Sequence, residues 1–145
     1  MFNKVYSELV RGWDINIEFA VSFILKELKK QRFLEPAKEK IVFLDNHYLE
    51  NYEEPRDIIE LLGAELVEMR NNRKETYCFP SEASFKETFP NFSEKIKEFI
   101  LKNTPENIDK IVSCSPSDFC YLKSFSSKAE EISELILRRI NNATV

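Results

Sequence analysis

The stretch that decides the fold is residues 41–69, "IVFLDNHYLENYEEPRDIIELLGAELVEM". It opens on a short apolar run, residues 41–45, that stops at a polar loop. An apolar run of that length, bounded by turn-forming residues, reads as a buried strand. Pro55 suits the first turn of a helix, where its missing N–H leaves nothing unpaired, and Gly63 suits the position just past the helix end. Residues 65–69 (ELVEM) then give a second strand. Strand, loop, helix and strand in that order make one α/β unit. The chain's single histidine, His47, falls where the first strand meets its loop.

Outward from this unit the same alternation continues. Residues 17–32 place Ile17, Val21, Ile24, Leu25 and Leu28 on one helical face, with a basic end that suits the C-terminal dipole. After a long loop, Pro90 marks the start of an amphipathic helix over 91–103, and residues 110–114 (KIVSC) read as a third strand. "SPSD" at 115–118 has the form of a capping box: Ser115 as cap, Pro116 at the first helical position, Asp118 reaching back. Ser127 with Glu130 repeats the device before a last helix that runs to about Arg139, with Ile132, Leu135, Ile136 and Ile140 inward. Helices alternating with short apolar strands predict an α/β fold, a single domain with a mainly parallel sheet of about four strands between helices.

Composition narrows the class. A chain of 145 residues, 43% hydrophobic and with twelve Phe, can bury a proper core. A net charge of −4 gives no electrostatic reason to expect nucleic acid or anionic lipid as a partner. The cluster Arg70, Arg73, Lys74 reads as a solvated loop. No 18-residue apolar run and no secretory signal stand in the sequence, and three cysteines do not pair into a disulfide framework. The expectation is a protein without membrane insertion, in the cytoplasm, with reduced thiols. With only Gly12 and Gly63 in the chain, there is no Gly-rich loop to cradle a phosphate, which argues against a dinucleotide site.

In open α/β sheets, ligands collect beyond the carboxyl ends of the strands. His47 and Cys114 fall there, Cys120 follows in the next helix near its N-terminus, and Cys78 lies in the loop after 65–69. One imidazole and three thiols are a sufficient donor set for a tetrahedral zinc site. The plainer readings are Cys114 and Cys120 as buried small hydrophobes and His47 as an exposed loop residue. The spacing of Cys114 and Cys120 lies outside the short Cys-x₂₋₄-Cys hairpin of structural zinc sites, and no motif supports a Cys–His nucleophile. The pairs Glu53–Glu54 and Glu130–Glu131 read as solvated helix starts.

The order "WDINIEFAVSFILKEL" (13–28), residues 41–79 ending "NNRKETYCF", "IVSCSPSDFCYL" (111–122) and a closing amphipathic helix resembles the cysteine-rich CCG domain. That domain belongs to the cysteine-rich subunit of heterodisulfide reductase and to related iron–sulfur oxidoreductase subunits of glycolate, lactate and glycerol-3-phosphate oxidation. The resemblance covers essentially the whole of 1–145 and is to the second of two such domains usually found in tandem, with Tyr6 to Trp13 similar to the linker after an absent first one. It implies cysteines holding an iron–sulfur assembly that reduces disulfides or passes electrons.

The motifs depart from the family's pattern. Its Asp-Pro-Cys stands here as Asp45-Asn46-His47, its Cys-Cys-Gly as Cys78-Phe79-Pro80, and its Cys-x-x-Cys is stretched to Cys114–Cys120. The candidate metal ligands are therefore His47, Cys78, Cys114 and Cys120, expected to converge at the carboxyl edge. They would hold zinc or another simple metal, an iron–sulfur cluster, or nothing. Two functions follow: a degenerate heterodisulfide reductase-like domain in electron transfer or thiol–disulfide chemistry, or a non-catalytic interaction subunit that kept the fold. The expected partner is a second copy or a separately encoded redox-complex subunit. The Phe-rich stretches 84–92 and 118–125 would either meet that partner or join the domain's own core.

Overall fold

The computed structural model describes residues 8–12, 14, 15, 17–30, 38–76 and 87–142. Among them the order is α1 (Ala20–Leu28), β1 (Lys40–Leu44), α2 (Glu54–Leu61), β2 (Glu65–Val67), a 3₁₀ turn (Arg73–Glu75), α3 (Pro90–Asn103), β3 (Lys110–Ser113), α4 (Pro116–Lys123), β4 (Ala129–Glu131) and α5 (Ile132–Asn142). The four strands form one sheet in the order β2-β1-β3-β4, every pair parallel. The expected α/β architecture, a four-stranded parallel sheet between helices, is what the chain adopts.

Both faces of the sheet are covered, which is why β1 is apolar at every buried position. Side chains alternate across a strand. Ile41 and Phe43 join Val112 in a core with α1, α2 and α5, through Leu25, Ile58, Ile59 and Leu135 among others. Val42 and Leu44 join Ile111 in a second core with α3 and α4, through Ile100, Tyr121 and Leu122. Phe119 and Phe125 are partly buried against this second core, so the stretch 118–125 is drawn into the domain itself. Phe89 and Phe92 remain about half exposed, at 54% and 53%.

The element ends follow from local chemistry. Gly63, at φ 78°, closes α2: its N–H reaches the Glu60 carbonyl at 2.9 Å, and the Ala64 N–H reaches that of Ile59 at 3.2 Å. These two bonds pair the otherwise orphaned last carbonyls, and the positive φ they require is open to glycine at no steric cost. Ser115 caps α4 by accepting the Asp118 N–H at 3.3 Å, with Pro116 at the first helical position.

Several expectations need correction. Ile17 is not part of α1, which starts at Ala20, and it is 42% exposed. The strands are shorter than read, β2 ending at Val67 and β3 at Ser113. Residues 129–131 are not the start of the last helix but the fourth strand, so Ser127 and Glu130 form no capping box there. Glu130 is buried rather than solvated and is bound by the Arg138 guanidinium at 2.9 Å through both oxygens. The edge pairing of Ala129 to Glu131 with β3 overrides a local pattern that mimics a helix start. Glu54 is not merely solvated either, since it accepts the Ser22 hydroxyl at 2.6 Å and ties α2 to α1.

Candidate functional site

From β1 the chain crosses to β2 on one side and then returns to β3 on the other, so the topology reverses between β1 and β3. Doubly wound sheets bind ligands in the crevice beyond the strand ends at such a reversal. The register pairs Leu44 with Ser113, so the residues that follow, Asp45 and Cys114, leave the sheet side by side.

Asp45 is the anchor of this edge. Its carboxylate receives the Arg56 guanidinium through both oxygens at 2.8 Å and the Arg73 backbone N–H at 2.7 Å, and its carbonyl accepts the Thr76 hydroxyl at 3.2 Å. Arg56, in the first turn of α2 and 3% exposed, makes five hydrogen bonds: two to Asp45, two to Glu68 and one to the Tyr52 carbonyl. That uses the whole donor capacity of a guanidinium. Its cation also lies 5.5 Å from the centroid of the Phe43 ring. Burial opposes the charge on Arg56, but the bonds and charges of Asp45 and Glu68 outweigh it and hold the group protonated.

Arg73 extends the network outward. Its side chain grips Glu53 at 2.6 and 3.0 Å and approaches Glu68 at 3.2 Å, while its backbone sits in the left-handed region at φ 57°. A non-glycine residue held there costs of order 1 kcal/mol or more, which the Asp45, Glu53 and Glu68 contacts offset. The arginine bonds depress the Glu53 and Glu68 carboxyls below their ordinary value. Arg73 is thus half-buried and bonded, which corrects its reading as part of a solvated loop; Arg70 and Lys74 are exposed.

The predicted ligands stand as follows. His47 is exposed, in a turn set by Asn46: the Asn46 side chain accepts the Tyr48 N–H at 2.8 Å and donates to the buried Asp118 carboxylate at 2.6 Å. Asp118 therefore reaches across to the β1 loop rather than back to its own cap, while the Ser115 N–H donates to the Ser113 hydroxyl at 3.2 Å. Cys114 is half-buried, and burial, reinforced by the Asp118, Glu131 and Asp45 carboxylates, pushes its thiol up to about 12. Cys120 is exposed, at the fifth position of α4 and so beyond the first turn, where the helix dipole acts most strongly. Cys78 lies outside the described residues. Among the described residues, no three His, Cys, Asp or Glu side chains group as metal ligands.

The parts played by Arg56, Glu68 and Arg73 are not foreseen from the sequence. One signal was available. A cation in the first turn of a helix opposes the macrodipole, and Arg56 lies one helical step (i, i+3) from Ile59 on the inward side, so it needs carboxylates to hold it. Their identity depends on strand pairing.

Among the described residues no helix is long and apolar enough to cross a membrane. Compared with protein-family models, curated proteins and solved structures, the chain matches none.

Proposed function

We propose that the chain is a non-catalytic interaction domain that resembles the cysteine-rich CCG type in fold and carries, at its carboxyl edge, ion pairs in place of reactive groups. The carrying observation is the Asp45–Arg56–Glu68–Arg73 network. At the edge where α/β proteins hold ligands, these charged groups hold the protein's own loops. A thiol displaced to about 12, as in Cys114, stays protonated near neutral pH and is a poor nucleophile. The partner is a second copy or a separately encoded subunit, and the flank of α3 that carries Phe92 and Phe99, 53% and 43% exposed, is the surface offered to it.

A second reading keeps electron transfer or thiol–disulfide chemistry, with a metal or cluster on His47, Cys78, Cys114 and Cys120. It is favoured by the β1–β3 register, which sets the His47 loop beside Cys114. One preparation separates the two. Protein purified without oxygen is submitted to elemental analysis and a visible spectrum, and melted with and without chelator. The interaction reading expects metal far below one atom per chain and unchanged melting. A stoichiometric metal lost in His47→Ala, with a lower melting temperature, would replace it by the second reading. Light scattering then distinguishes a twofold dimer from a 17.1 kDa monomer that needs another subunit.

A further inference from the structure

We draw no further inference here: the strongest candidate, the open depression of about 500 Å³ beyond the carboxyl ends of β1 and β2, is lined by Glu50, Glu53 and Glu75 as well as by Arg70, Arg73 and Lys74, so that its charges cancel and nothing in the structure shows what covers it.

Discussion

Arg56→Met removes the guanidinium while keeping much of the side chain's length. The consequence is set by what remains. The Asp45 side chain is 0% exposed and would keep only the Arg73 N–H against its carboxylate, whereas Glu68, at 35%, can turn to water. Breaking a buried pair from one side costs about 3–5 kcal/mol, because the partner is left as an uncompensated charge. Against a total stability of roughly 5–15 kcal/mol, that is a large fraction. At about 2–4 °C per kcal/mol for a domain of this size, the melting temperature should fall by roughly 6–20 °C.

Urea unfolding followed by far-UV circular dichroism at neutral pH measures the loss, expected as a lower midpoint with an unchanged slope. The double variant Arg56→Met/Asp45→Asn removes the stranded charge and should be more stable than Arg56→Met by about 1 kcal/mol or more. If Arg56→Met lies within about 1 kcal/mol of the parent, as for a surface pair, the buried network is not what closes this edge. The same conclusion follows if the second substitution only adds a further loss.

Acid should weaken the network from its outer members. The Glu53 and Glu68 carboxyls are depressed below their ordinary value of 4.5, so their stabilisation is complete above that pH and is lost as the pH falls through the folded-state values; Arg56→Met should flatten this acid limb in a pH series of melts. Near neutral pH, iodoacetamide should modify the exposed Cys120 in the native protein and Cys114 only after unfolding, because burial holds the Cys114 thiol up near 12. Equal labelling rates by peptide mass spectrometry would contradict that placement. Ser115→Ala removes the α4 cap and should cost about 1 kcal/mol or less, given the 3.3 Å bond, read as a drop of about 2–4 °C in thermal melts. Gly63→Ala puts a Cβ at φ 78° and should cost about 1 kcal/mol, with Gly63→Asn falling between it and the parent; an Ala variant as stable as the parent would refute the turn geometry.

The candidate edge was only partly legible in the sequence. The strand-end rule pointed to the positions around His47 and Cys114, and both lie beyond their strands because β1 and β3 run parallel in register. The convergence of four donors rested on strand-end placement together with the resemblance, and Cys78, one of the four, lies outside the described residues. From the sequence alone Arg73 reads as solvent-facing, and the place of Arg56 in the first turn of its helix signals at most a need for carboxylates, not which ones tertiary structure will bring to it. Asp45 and Glu68 stand 11 and 12 positions from Arg56, beyond any helical period.

Where a signal is local, the sequence by itself was enough. An apolar run at 41–44, Pro55 at a helix start, Gly63 at a positive φ and Ser115 before Pro116 each act through their own backbone or that of a near neighbour, and they determined the β1-α2-β2 unit and the start of α4. Tertiary structure alone decided that Ala129–Glu131 is a strand and that Arg56 is buried. The first depends on β3 offering an edge to pair with, and the second on the parallel pairing of β1 with β2, which brings Asp45 and Glu68 to one guanidinium. Both are long-range pairings, and their free energy comes from groups that the residues' own sequence neighbourhood does not contain.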